Sequence, residues 1–342
     1  MRDFLAITGP TTSGKTQFSI AVAEVLDGEI ICMDSRQVYR GMDIGTDKVS
    51  AEHRSRVPHH GLDLRDPDEF YSAGQFGRDA RRYIEEISGR GHVPLLVGGT
   101  GFFLRSLTHP IFKQPDLDAV RLEALRGFMA RRPTAELERW VGALDSGRKE
   151  FAREGGPQRL GRTIEVALLT GRSLSWWHSQ GTPDQEPLSG LIVVLDRDRE
   201  ELDRRIDARV TRMAAEGLVE EVKGLLEKGY GPKDPGMSGT GYREVAAYLC
   251  GDMTLEEALD QMRSQTRQYA RRQLTWFRHQ LPEDAMHVDT SRPLDAQVAD
   301  VVAAWRTKDR SIGGSQDDEP IDRRIDERIT RGTLKDHDGK GE

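Results

Sequence analysis

The chain has 342 residues, with 50 Lys and Arg against 57 Asp and Glu and a formal net charge of −7. That length suits one large domain or two modest ones, and 36% apolar residues place it above disordered composition. The charge balance excludes a uniformly basic nucleic-acid coat and by itself points to a small-molecule substrate.

The two cysteines, Cys32 and Cys250, cannot build a disulfide framework and fit a reducing compartment. The longest aliphatic run, 191–195, is far short of the ~18–20 apolar residues of a membrane span. A glycine loop interrupts the N-terminal apolar run before it reaches signal-peptide length. The expectation is a cytoplasmic protein with no membrane contact.

Residues 4–8 form a short apolar run that ends in a glycine turn, and 16–26 follow with helical spacing. A second buried strand is expected at 29–33, a helix at 73–88, and a third strand at 93–97 leading into Gly98-Gly99-Thr100-Gly101. Strands alternating with helices imply a parallel sheet covered by helices. From 116 to 178 the texture is Arg-, Leu- and Ala-rich at helical spacing, before 191–195 returns to strand character. The expected architecture is therefore an α/β core (1–115 and 189–306) interrupted by a helical insertion at 116–188. Residues 200–278 read as mostly helical, with a last short strand at 286–288. Residues 307–342 combine eight basic and ten acidic residues with no aromatics, too little apolar surface to offset ordering, and read as a disordered tail.

Gly9-Pro10-Thr11-Thr12-Ser13-Gly14-Lys15-Thr16 matches G-x-x-x-x-G-K-[ST] between an apolar strand and a helix. Backbone N–H groups in such a loop turn inward and the following helix adds its positive end, so the segment reads as a phosphate or diphosphate site. Gly14 permits close approach, Lys15 neutralises charge, and the Thr16 hydroxyl can hold Mg²⁺. The pattern is shared by ATP-binding and other nucleotide-binding proteins, so it does not fix the reaction. Asp34 stands at the carboxyl end of the second strand, where ligands of open parallel sheets sit. Position alone leaves it open between a site carboxylate and a turn residue. Arg263 to Arg278 holds five arginines and no acid, with Arg263, Arg267 and Arg271 on one stripe. That stripe reads as a nucleic-acid grip, and Leu274 and Phe277 as core. His59-His60 lacks Cys partners at zinc-ligand spacing and is expected to be structural.

The ordered set of motifs resembles the tRNA dimethylallyltransferases, also called tRNA isopentenyltransferases. It runs from the phosphate loop through Met33-Asp34-Ser35-Arg36-Gln37-Val38-Tyr39-Arg40-Gly41-Met42-Asp43-Ile44-Gly45-Thr46 and Pro58-His59-His60-Gly61-Leu62-Asp63. It continues with Leu96-Val97-Gly98-Gly99-Thr100-Gly101, Pro157-Gln158-Arg159-Leu160-Gly161-Arg162, Gly241-Tyr242-Arg243-Glu244 and the 266–278 segment. The resemblance covers about residues 4 to 290 and implies a P-loop NTPase-like sheet core.

It also implies transfer of a dimethylallyl group from dimethylallyl diphosphate to N6 of the adenosine beside the anticodon, position 37. The tRNAs concerned read codons beginning with U; a monomer is the expected state. Asp34 is then the general base, while Thr11, Lys15 and Arg205 serve the departing diphosphate. Read without the resemblance, Arg205 is as well explained as part of a solvated helix face, and Thr100 as a helix N-cap. The resemblance makes Thr100 and the stretch Asp34, Ser35, Arg36 and Gln37 contacts to tRNA. It does the same for Gln158, Arg159, Leu160, Gly161 and Arg162, with Arg121 a weaker candidate.

Two departures from the family pattern stand out. Arg153-Glu154-Gly155-Gly156 occupies the place of a frequent His-Pro-Asn-Asp, which bears on how Arg159 is placed, and Thr12 stands where alanine is common. Among rivals, a small-molecule kinase would leave the 263–278 arginines unexplained. An adenylate isopentenyltransferase would not need a long basic insertion, and an NTP-dependent RNA-binding switch would hydrolyse ATP without alkyl transfer.

Overall fold

The computed structural model describes residues 3–109, 115–180 and 186–309. Its apolar runs become six strands: β1 Phe4–Thr8, β2 Gly28–Cys32, β3 His59–His60, β4 Val93–Val97, β5 Gly190–Asp196 and β6 Met286–Asp289. All pair in parallel, in the order β3-β2-β4-β1-β5-β6. The central strands are near-continuous hydrophobic sequences because both faces of the sheet are covered.

Side-chain alternation along β1 assigns the faces. Leu5 and Ile7 join Phe18, Ile20 and Val22 of α1 (Lys15–Leu26) on one side. Three more helices follow in the chain, the short α2 (Ala51–Arg56) and then α3 (Ala73–Gly89) and α4 (Gly101–Thr108) on the other face. There Phe4 and Ala6 pack with Phe76, Ala80 and Ile84 of α3 and Phe103, Leu104 and Leu107 of α4.

The chain divides into two compact units, one formed by Met1–Thr108 with Leu188–Glu342 and the other by His109–Pro187. The second contains α5 (Ala119–Met129), α6 (Thr134–Leu144), α7 (Lys149–Glu154), α8 (Gly156–Thr170) and α9 (Leu174–Gln180). Its core is built from Met129, Leu137, Val141, Ala152, Leu160 and Ile164.

Back in the first unit follow α10 (Arg199–Ala215), α11 (Leu218–Glu227), α12 (Tyr242–Leu249), α13 (Leu255–Gln280) and α14 (Leu294–Asp309). Val210, Val222, Val245 and Met262 of α10 to α13 enclose Val38, Tyr39 and Met42, so these helices carry the loop that follows β2. Residues 307–309, expected to open a disordered tail, form the last turn of α14, and 310–342 lie outside the described residues. No helix among the described residues is long and apolar enough to cross a membrane.

Candidate active site at the carboxyl edge of the sheet

Three strand ends meet at this edge. After β1 the phosphate loop turns into α1 through Gly14 at φ 99°, while Thr12 adopts φ 63°. The first turn of α1 leaves its amides without intrahelical acceptors, which suits them to an anion. Lys15 folds back over its own loop and donates Nζ to the Gly9 and Pro10 carbonyls at 3.0 and 2.7 Å. Burial pushes its ammonium down to about 8, opposed by the Asp34 carboxylate, reinforced by Arg209 and opposed again by Asp47. The Thr12 hydroxyl donates to the Thr11 carbonyl. Ser13 Oγ is buried and has no hydrogen-bond partner among the described residues. Thr16 lies exposed at the start of α1.

After β2, Asp34 Oδ1 accepts the Arg36 amide at 2.8 Å, an Asx turn that fixes the carboxylate while leaving it partly exposed. Thus the turn role and the site role coexist in one side chain. After β4, Gly98 packs so tightly on the neighbouring strand that a Cβ there would lie 2.0 Å from the Met33 carbonyl oxygen. This brings Thr100 beside the Asp34 loop, where its hydroxyl accepts the Ser35 amide at 3.1 Å. Tyr269 of α13 lies near Thr100 and Asp34. Burial of its hydroxyl and the Asp34 charge push the phenol up to about 12.

Gln273 of α13 is missing from the sequence expectations, yet it ties the first and third loops together. Its Oε1 accepts the Thr11 amide at 2.9 Å, and its Nε2 donates to the Gly99 carbonyl at 2.8 Å. A Cβ at 99 would stand 2.3 Å from that amide nitrogen, so any larger residue there would displace the Gln273 side chain from its bonds. An uncharged residue inside a run of arginines offered no signal of this role.

Two arginines of α10 stand differently toward the phosphate loop. Arg205 Nε donates to Glu201 at 2.8 Å and is half exposed, whereas Arg209, one turn on, donates to Thr11 Oγ1 at 2.8 Å. The two residues lie four apart on one face of α10. Arg197 adds a third cation, with Nε 3.4 Å from the Ser13 carbonyl.

The long loop after β2 is held from behind. Glu221 accepts the amides of Asp43, Ile44 and Gly45 and the Tyr242 hydroxyl. Lys48, its ammonium buried, bonds Tyr39 O, Asp43 and Asp63. Gln37 donates its amide to the Thr46 and Asp47 carbonyls, which braces this loop. Arg36 reaches the Pro235 carbonyl and the Ser238 hydroxyl.

The expected arginine stripe on α13 is largely consumed. Arg263 pairs with Asp260 and Thr211, and Arg267 with Asp207 of α10. Arg271, Arg272 and Arg278 are exposed, and Phe277 is buried as expected, while Tyr269 is 38% exposed and lies near Asp34. Trp276 packs on Gly101 at the start of α4. His60 bonds the buried Glu29, which Arg90 also grips, and His59 bonds the Val57 carbonyl, so both histidines are structural.

In the helical unit, Gln158 and Arg121 are exposed. Leu160 is fully buried in the unit's own core, which removes its side chain from any contact surface. Gly161 packs near Met129. Arg162 pairs with the buried Glu165, which Arg126 also binds. Arg159 stacks over the Phe151 ring at 4.3 Å. It folds across Gly155, where a Cβ would stand 1.7 Å from its Cδ, so this placement of Arg159 uses the glycine at 155.

A profile of the family described as IPP transferase matches residues 37–280. The tRNA dimethylallyltransferase of Geobacter sulfurreducens is 42% identical over 272 residues, spanning 80% of this chain and 88% of its own. That of Thermomicrobium roseum is 42% identical over 275 residues, spanning 80% and 83%. The full-length tRNA isopentenylpyrophosphate transferase of Bacillus halodurans superposes with a TM-score of 0.66 at 34% identity, covering 90% of this chain and 97% of that one. A eukaryotic dimethylallyltransferase solved acting on tRNA gives 0.76 at 26% identity, covering 99% and 87%.

Proposed function

The chain belongs to the IPP transferase family, and from that premise we propose its donor, its acceptor atom and the part each residue plays. It is an enzyme that transfers a dimethylallyl group to tRNA. In this reading the donor is dimethylallyl diphosphate and the acceptor is N6 of adenosine 37, in tRNAs reading codons that begin with U. The products are N6-dimethylallyladenosine and diphosphate. The observation that carries the reading is the convergence at one sheet edge of a basic phosphate loop and a fixed carboxylate, Asp34, within electrostatic reach of Lys15.

The N6 lone pair forms a bond to C1 of the dimethylallyl group as the C1–O bond breaks and its electron pair leaves with diphosphate. The adenine amine is a weak nucleophile because its lone pair is delocalised into the ring. Asp34, already pinned by the Arg36 amide, accepts the N6 proton as the bond forms. Charge growing on the leaving diphosphate meets Lys15, Arg209 and the amides at the start of α1, fixed before reaction and therefore effective. Thr11, held through its amide by Gln273 and its hydroxyl by Arg209, faces the same group.

No cluster of three or more His, Cys, Asp or Glu among the described residues could hold a metal ion. Mg²⁺ needs no such cluster when it keeps phosphate and water ligands, and the exposed Thr16 hydroxyl is the hard oxygen it would use. When bound, the ion adds neutralising charge to the diphosphate. Ser35, Arg36 and Thr100 at the sheet edge, and Arg121, Gln158, Arg159 and Arg162 in the helical unit, are the proposed tRNA contacts. The enzyme acts as a cytoplasmic monomer.

The test is incubation with dimethylallyl diphosphate, Mg²⁺ and unmodified tRNA, with adenosine monophosphate as a parallel acceptor, followed by nucleoside mass spectrometry. Dimethylallyladenosine in tRNA and none on the free nucleotide supports the reading. Modification of the free nucleotide, or nucleotide hydrolysis alone, overturns it.

A further inference from the structure

We propose that Asp47 is a built-in counter-anion of the phosphate site, competing with diphosphate for the cations there and loosening its grip. The proposal rests on the reading of the 9–16 loop as a diphosphate site. Asp47 lies in the loop after β2, and its carboxylate stands 2.6 Å from Arg212 and 3.6 Å from Arg209. It also acts electrostatically on Lys15. An anion entering the loop therefore meets a fixed negative charge that already shares its binding cations.

The geometry decides the sign. Arg209 is held by a 2.8 Å hydrogen bond to Thr11 Oγ1, whereas its approach to Asp47 is too long for one. Arg209 thus does not depend on Asp47 for its place, and removing the carboxylate removes repulsion without releasing the cation. Arg212 does form the short pair with Asp47 and partly neutralises it.

The backbone at 47 is fixed independently of the side chain. The Asp47 amide donates to Ile44 O at 3.0 Å, and its carbonyl accepts Gln37 Nε2 at 3.2 Å. Its φ of 53° is the left-handed region, which asparagine adopts as readily as aspartate. Asp47→Asn therefore deletes the charge with little disturbance of the loop. Burial alone would raise the Asp47 pKa, but Arg209, Arg212 and Lys15 together hold it below the usual carboxylate range, so the group is charged at neutral pH.

The experiment is calorimetric titration of inorganic diphosphate with Mg²⁺ into the full chain, wild type beside Asp47→Asn and Arg212→Gln. One charge at this range in a partly wet site predicts about tenfold tighter binding by Asp47→Asn. Arg212→Gln, which leaves Asp47 less neutralised, binds several-fold more weakly. Diphosphate inhibition of the transfer reaction shifts in the same directions. A merely structural role for Asp47 would weaken binding or leave it unchanged on substitution, and either result overturns the proposal. A wild-type chain that does not bind diphosphate overturns the reading of the loop itself, which separates the two failures.

Discussion

Gln273→Ala should damage stability and catalysis together, because one side chain joins the two loops between which the reaction is proposed to occur. The substitution strips the Thr11 amide and the Gly99 carbonyl of partners made at 2.9 and 2.8 Å. The side chain is only 6% exposed, so water does not replace it readily. Each orphaned buried backbone group costs about 1–3 kcal/mol, giving ~2–6 kcal/mol for the pair. Gln273→Met fills nearly the same volume without either hydrogen bond, and so separates their loss from the loss of packing. Urea unfolding measures the first effect, with both variants losing stability and Met retaining most of the deficit. Steady-state transfer to tRNA measures the second. A loop displaced by about 1 Å predicts roughly a hundredfold fall in kcat/KM. Wild-type urea midpoints together with wild-type kcat/KM in Gln273→Ala would refute the reasoning.

Two further outcomes follow from the same edge. Arg209→Gln should lower kcat by about 10²-fold or more, as loss of a fixed charge-stabilising donor does, while Arg205→Gln changes it far less. Equal losses in the two variants would return the leaving-group role to both. Lys15, with its pKa lowered by burial to about 8 from 10.5, gives a stability effect of defined sign. Between these values the unfolded chain binds the proton and the folded chain does not, so the Lys15 contribution to stability rises with pH. Urea midpoints of wild type minus Lys15→Met should rise across that window. A flat difference contradicts the depressed pKa.

Much of this was legible in the sequence because it is local. An apolar run, a glycine loop and a helix in succession specify β1, the phosphate loop and α1, and the same reasoning finds β2, β4, β5 and β6 to within a residue or two. β3 escapes, since two histidines carry no pattern and pair only because the β2 edge is there. Side-chain destinations escaped where they depend on distant partners. Arg267 looks like a surface cation until Asp207, sixty residues away in sequence, is folded against it. Leu160 sits among exposed residues in a motif, yet helix periodicity turns it into the core. Tyr269 lies on the same helix as the buried Phe277, and only the approach of the Thr100 loop distinguishes a site residue from a packing one.

The central claim, that Asp34 takes the acceptor's proton while the phosphate loop receives the leaving group, is tested most directly by single-turnover transfer. Asp34→Asn keeps an oxygen for the Arg36 amide, so the turn survives while the base is lost. With saturating dimethylallyl diphosphate, Mg²⁺ and tRNA, the account predicts a tRNA affinity close to wild type and a transfer rate lower by about 10²–10⁴-fold. Transfer by Asp34→Asn at the wild-type single-turnover rate would contradict it.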